Sequence, residues 1–253
     1  MGSNSREAKG GFLYDEEGGG VVIVGYKGKS KKIAIPATID GKPVTGIGND
    51  AFYKLDLTEV TIPDTVTSIG MNAFSNNKIA SLSLGSGLVT IQDKAFQFSG
   101  ITAVTIPDSV TSIGKEAFDN NKITDLSLGS GLVTIQDRAF RHNKLAGILT
   151  LPPNVTAVGA HAFYQNGYTE VIAPGSIAIG PLAFDKTTKL TTASGEKPAT
   201  SSYKAPVAEA KAAAVVQKDG VWLFTTSGNT VVITGYEGTA PVVSIPAQIQ
   251  GMP

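Results

Sequence analysis

Cysteine is absent from this 253-residue chain, which excludes disulfides, thiolate metal sites and cysteine nucleophiles. That absence suits a bacterial protein of either compartment and argues against eukaryotic secretion. An excess of one charge is missing too. Twenty-one Lys plus Arg balance 21 Asp plus Glu, so no overall field draws in nucleic acid or an anionic membrane. Histidine is scarce: His142 and His161 sit in different slots and belong to no metal-spaced cluster, so both read as ordinary surface residues. No apolar run reaches the roughly 18 residues of a membrane span. Residues 1–11 lack the apolar core of a signal peptide and read as an expression leader ahead of a mature start, from which a secretion signal is expected to have been removed. Catalytic signatures are missing as well. The glycines at 18–20 are not followed by the Lys-Ser/Thr of a phosphate loop, and no serine lies in G-x-S-x-G.

What is present is repetition. An Ala-Phe pair returns seven times, at Phe52, Phe74, Phe96, Phe118, Phe140, Phe163 and Phe184, at spacings of 22, 22, 22, 22, 23 and 21 residues. A unit of that size cannot bury its own apolar face and must stack on its neighbours, which defines a solenoid. Within each unit the sequence predicts a strand, a turn, a second apolar stretch and a tight turn around Ala-Phe. Val60 and Ile62 alternate with Glu59 and Thr61, the period of two that turns one face inward and the other to solvent. Pro63, Pro107, Pro152 and Pro174 close the strands, with Gly85 and Gly129 in that place in alternate repeats. Asp93 and Asp137, two residues before the Ala, predict capping of a short helical turn. After each Phe comes a polar position, Asn77, Ser99, Asn121, Asn143 or Asn166, expected as an internal ladder satisfying turn N–H and C=O groups rather than as a row of exposed glycan-binding amides.

A longer period overlies the first. Residues 60–97 and 104–141 differ at eight positions only: Thr65/Ser109, Met71/Lys115, Asn72/Glu116, Ser75/Asp119, Ala80/Thr124, Ser81/Asp125, Lys94/Arg138 and Gln97/Arg141. All eight are expected at polar or solvent-side slots. The pattern V-T-I-P-x-x-V-T-x-I-G-x-x-A-F-x-x-N resembles the BspA-like class of leucine-rich repeats, over residues 33–184. The resemblance implies a right-handed, parallel-stranded β-solenoid or horseshoe with an N-terminal β cap, used for adhesion or recognition on bacterial surfaces. It implies no chemistry, cofactor or metal. The family usually has Cys where this chain has Asn77, Asn121, Asn143 and Asn166.

The two ends resemble each other. Residues 21–43 reappear at 231–253, an offset of 210 that also relates Phe12-Leu13-Tyr14 to Trp222-Leu223-Phe224. Both read as a cap of two short strands separated by a GYKG or GYEG turn, covering a solenoid edge. The expected layout is a leader at 1–11, a repeat domain at 12–185, a linker at 186–218 with a short helix near 208–216, and the start of a second repeat-domain cap at 219–253. With its natural partner strand missing, the segment 220–246 is expected to form β-structure docked on a solenoid edge, and any oligomer to depend on that edge.

The outward strand positions are the candidate binding face: Glu59, Thr61, Ser81, Ser83, Thr105, Asp125, Ser127, Thr150 and Glu170. The face is flat, small-residued and mildly acidic, without the Trp, Tyr or Arg anchors of tight interfaces. It suits a weak site repeated for avidity. The file also resembles an ice-binding surface, against which stand its alternation of Thr and Ser and the acids beside it. The recurrent carboxylates Asp64, Asp108, Asp93 and Asp137 are explained by turns and caps, and a regular sheet offers no cleft for a paired-carboxylate mechanism. The expected function is non-enzymatic: an extracellular or cell-surface module binding a protein or glycan on another cell or matrix. A structural spacer displaying other domains is the alternative.

Overall fold

The computed structural model describes residues 6–8 and 10–202, together with the backbone of 213–217, 220–227 and 230–238. The chain divides into two compact units, 1–204 and 205–253.

The first unit is a parallel β-solenoid of about eight turns. It opens with an antiparallel hairpin, Phe12–Glu17 and Gly20–Tyr26, flanked by Arg6–Glu7. The reversal lies at Gly18-Gly19, with φ of 57° and 84°, and not at the GYKG sequence, where the strand continues to Tyr26. Two consecutive left-handed residues match the twist of a hairpin, and glycine adopts them without strain. Gly20–Tyr26 then pairs in parallel with Lys42–Ile47. From there one sheet runs through Ser68–Ile69, Thr90–Ile91, Ser112–Ile113, Thr134–Ile135, Ala157–Val158, Ser176–Ile179 and Ala199–Ser202, each parallel to the last. The continuous sheet is therefore built on the second apolar stretch of each repeat.

The first stretch of each repeat forms the opposite wall, and that wall is broken into three sheets. Lys32–Ala34, Glu59–Thr61 and Ser81–Ser83 make one; Ala103–Thr105 and Asp125–Ser127 the next; Ala146–Thr150, Gly167–Ile172 and Lys189–Thr191 the last. Strands at 189–191 and 199–202 correct the expected linker, because the solenoid runs on to Ser202 without an eighth Ala-Phe. Leu190 still pairs with Val171 and packs against the core, and Thr191 is buried, so the coil outlasts the aromatic that advertised it.

Between the walls stand the phenylalanines. Their rings stack from Phe52 to Phe184 with centroids 4.9–5.5 Å apart and planes within 10° of parallel, a spacing set by the ~4.8 Å rise of one strand on the next. Phe74, Phe96, Phe118 and Phe140 are wholly buried. Beside them the polar ladder forms as expected. Asn77 Oδ1 accepts the N–H of Leu55 and Leu57 at 3.2 and 2.9 Å, while its Nδ2 donates to the carbonyls of Phe52 and Phe74 at 2.9 and 2.7 Å. Asn121, Asn143 and Asn166 repeat the arrangement. Each amide thus closes one coil and ties it to the one before, satisfying groups that no strand ladder reaches.

The expected short helical turns are plain turns; no helix occurs among the described residues. The residue before each Ala-Phe, from Asp50 to Leu182, has a left-handed φ between 52° and 58°. A second left-handed residue follows two positions after the Phe in six coils. Two such residues four apart interrupt any helical run. Asp93 and Asp137 consequently cap no helix: their Oδ1 atoms accept the N–H of Lys115 and Ala160 in the next coil, both at 2.8 Å.

In the second unit Ala213–Gln217, Gly220–Ser227 and Thr230–Gly238 form an antiparallel sheet. Ala213–Gln217 is a strand where a helix was expected, its β-branched Val215 and Val216 preferring extended backbone. The 210-residue offset is kept in the pairing itself. Trp222 faces Tyr236 and the register slips between Leu223 and Phe224, as Phe12 faces Tyr26 and the register slips between Leu13 and Tyr14. Residues 239–246, and with them the expected docking of this segment, lie outside the described residues.

Truncating a ring in the middle of the stack removes contacts on both sides. Phe118→Ala should lower the unfolding free energy by about 3–5 kcal/mol, read from the urea midpoint, whereas an unchanged midpoint would contradict this stacking order.

Candidate functional site

The candidate face lies on the broken wall, and the breaks have a local cause. In four repeats the strand ends in a proline, and in two, at Gly85 and Gly129, in the sequence Gly-Ser-Gly-Leu. Where a Gly-Ser-Gly coil follows a Pro-Asp coil, the two fit tightly. A Cβ on Gly85 would stand 2.3 Å from the Pro63 carbonyl oxygen, and one on Gly87 2.0 Å from that of Asp64. Asp64 also accepts the N–H of Ser86 at 2.6 Å, and Asp108 that of Ser130 at 2.7 Å. At the next junction, from Gly-Ser-Gly to proline, the fit is loose. Ile62 and Ile106 donate their N–H to the following strand at 2.9 Å, but Leu84 and Leu128, at the same position, have no backbone acceptor among the described residues.

Two openings result, 44 residues apart. One, of about 690 Å³, lies between Ser81–Ser83 and Ala103–Thr105, and Leu82, Leu84, Ser83, Thr105 and Asp108 line it. The other, of about 420 Å³, lies between Asp125–Ser127 and Ala146–Thr150, with Leu126, Leu128, Asp125, Ser127, Thr150 and Tyr168 around it. Five of the nine candidate residues therefore border openings: Ser83 and Thr105 at the first, Asp125, Ser127 and Thr150 at the second. The rest stay on paired sheet. Glu59 meets Lys32 at 3.2 Å, and Glu170 meets Lys189 at 3.3 Å and the Thr191 hydroxyl at 2.8 Å. The hydroxyl and ammonium hold the Glu170 carboxyl below its ordinary range. With two of its acids paired, the face is less acidic than its sequence suggests, and Ile148, 61% exposed, adds an apolar point to it.

The eight differences between the two long repeats do not all face solvent. Asp119 is fully buried, and Ser75, its counterpart, nearly so. Burial of a carboxylate is tolerated because its oxygens are filled. Arg141 Nε and Nη2 each donate to it at 3.0 Å, Asn120 at 2.9 Å and Gln97 at 3.1 Å. Arg138 pairs with Glu116 at 3.2 Å. So four of the eight exchanges, at 72/116, 75/119, 94/138 and 97/141, belong to one ionic cluster in the second copy. His142 lies beside it, its Nδ1 3.7 Å from Asp119 and without a hydrogen-bond partner. His161 packs edge-on against Tyr164. Both histidines carry left-handed φ angles and are half-buried rather than freely exposed. No group of three or more His, Asp or Glu suited to a metal occurs among the described residues, and no helix there is long and apolar enough to cross a membrane.

A third opening, of about 410 Å³, lies at the polar turns and is bordered by Lys78, Phe98 and Lys122. Its signal in the sequence is a local departure, Phe98-Ser99-Gly100 in place of the Asn-Asn-Lys of adjoining coils.

Walls of parallel strands, an aromatic stack and an inward amide ladder define a leucine-rich-repeat solenoid. The BspA type leucine rich repeat region matches in six copies over residues 26–146 and 111–204, and the chain belongs to that family. Its fold is similar to that of the leucine-rich repeat protein TpLRR of T. pallidum, at 24% identity and a TM-score of 0.50, over 69% of this chain and 86% of that one. The pneumococcal vaccine antigen PcpA is similar at 18% identity and a TM-score of 0.57, over 78% and 70%. A leucine-rich cell surface protein of Faecalibacterium prausnitzii matches at 25% identity and a TM-score of 0.47, over 66% and 55%. No curated protein matches the sequence. Family and fold are those of repeat proteins that are generally non-enzymatic.

The tight junctions carry a pH dependence. Backbone N–H groups of Ser86 and Ser130, with their side chains, hold the Asp64 and Asp108 carboxyls below the ordinary aspartate value. A lowered folded value means the stabilisation is complete above the unfolded value of about 3.9 and is lost as the pH falls below it and through the lowered one. The melting temperature should therefore drop across that acid window. Asp64→Asn with Asp108→Asn should flatten the drop, and a slope identical to the unmodified chain's would refute the assignment.

Proposed function

We propose that this chain is a non-enzymatic recognition or adhesion module of a bacterial surface or secreted protein, binding host or environmental macromolecules through the broken strand wall. The observation that carries the reading is the pair of loose junctions, which put the same elements at two places along one face: half-buried leucines, hydroxyls of Ser or Thr, a carboxylate and a backbone N–H with no backbone acceptor among the described residues. They stand two coils apart, about 10 Å by strand spacing. A ligand of repeating structure can engage both, and the second engagement is intramolecular, so weak sites add up to useful avidity. Location outside the cell follows what membership of the family implies.

An array of glycans and extracellular-matrix proteins probed with the intact chain tests this. Saturable binding to at least one class is expected. A variant that fills both junctions, Ser83→Arg with Ser127→Arg, should weaken it by about tenfold or more at an unchanged melting temperature. Binding to nothing on the array, or binding indifferent to the filled junctions, would favour a spacer instead.

A further inference from the structure

The coil built on Phe96 departs from its neighbours at three consecutive positions. Where they carry Asn76-Asn77-Lys78 and Asn120-Asn121-Lys122, it carries Phe98-Ser99-Gly100. The three changes are coupled through the backbone. The Ser99 hydroxyl reaches the Phe74 carbonyl at 2.7 Å, taking over the donor half of the ladder, but is too short for the acceptor half. Ile79 N–H donates instead to the Ser99 main-chain carbonyl at 2.6 Å, whereas Asn121 Oδ1 accepts from Ile101 one coil later at 3.1 Å. The next residue takes φ 76°, which glycine alone adopts readily, and the lysine of the adjoining coils is thereby lost.

What this leaves is a gap in a row of lysines with an aromatic ring beside it. Phe98 holds a left-handed φ of 53° and is 48% exposed. A bulky residue in that conformation is strained, and here burial returns little for the strain. Lys78 and Lys122 flank the gap, about 10 Å apart by strand spacing. Lys78 is paired with Asp56 at 2.8 Å, while Lys122 makes no ion pair among the described residues. Asn120 and Thr102 border the same groove.

We propose that this groove binds an acidic saccharide. The C–H face of a pyranose ring lies on the exposed Phe98 ring, its carboxylate meets Lys122, and its hydroxyls meet Asn120 and Thr102. An aromatic face offers an apolar platform, a lysine a compact cation, and an amide both donor and acceptor. Together they fit a ligand with one apolar face, one charge and several hydroxyls. Uronate and sialate sugars share that chemistry. The site deepens the recognition role proposed above but uses residues apart from the strand wall, so the two stand or fall separately.

Calorimetric titration of the intact chain with a glucuronate-containing tetrasaccharide, with sialyllactose and with lactose separates the sources. Saturable binding of one acidic probe, and none of lactose, is expected. Phe98→Asn restores the residue of the adjoining coils and suits the left-handed backbone. It should weaken binding by about tenfold while the melting temperature holds or rises. Lys122→Gln should weaken it similarly, and added salt should do the same to the unmodified chain. Failure of both acidic probes to bind, equal binding of lactose, or affinity indifferent to Phe98→Asn would each overturn the site. If macromolecules on the array still bind through the strand wall in that event, only the groove is lost; if the filled-junction variant abolishes array binding yet keeps the saccharide, the groove stands as a separate site.

Discussion

Every coil of this protein depends on having its backbone polar groups satisfied by the coil beside it. A 22-residue turn has neither a helix nor a hairpin to close its own hydrogen bonds, so apart from the amides bonded within its tight turns it looks to a neighbour about 4.8 Å away. The short strands meet this need along the two walls. At the Ala-Phe corner, where the chain turns through left-handed residues, each Phe N–H from Phe52 to Phe163 donates to the Ala carbonyl of the next coil at 2.7–2.8 Å, and the buried asparagines satisfy the Phe carbonyls and nearby N–H groups left over. The phenylalanine stack fills the space that this scaffolding encloses, at a spacing the backbone dictates. Remove the asparagine amides and the Phe carbonyls they satisfy lose that donor; remove the rings and the amides face a void.

From that constraint the alternation of tight and loose junctions follows. A proline closes a strand cleanly but brings bulk and a carbonyl that the next coil must accommodate. Gly85, Gly87, Gly129 and Gly131 accommodate it, since each lacks the Cβ that would collide with a carbonyl of the preceding coil. The same small residues leave their far side underfilled, and the wall parts there. The 44-residue period is thus a packing period, in which one coil supplies bulk and the next supplies room. The openings on the broken wall are a by-product of that arrangement: they arise where packing is incomplete, and they recur because the period recurs.

Much of the architecture was legible in the chain. Ala-Phe at fixed spacing, alternation around Val60 and Ile62 and the polar position after each Phe announced a solenoid with an aromatic core and an amide ladder, because these are local patterns with one stable use each. The likeness of the two ends was legible for the same reason, and the strands Gly220–Ser227 and Thr230–Gly238 carry the offset of 210 into their register. Boundaries were less legible. The strands at 189–191 and 199–202 lack the Ala-Phe signature, so the repeat pattern in the sequence stopped short of the last paired strands.

By itself the sequence determined the repeat length, the inward and outward faces and the identity of the core, since side-chain period and backbone valence are properties of the chain. Only the tertiary structure decided which wall is continuous, that Asp119 is buried under Arg141 and Gln97, that Asp93 and Asp137 reach into the next coil, and that Phe98 stands exposed between two lysines. Each of these is a relation between residues about 20 or more apart in sequence but one or two coils apart in space. Stacking alone determines what such residues meet, because the partner of every group in a solenoid lies in another turn.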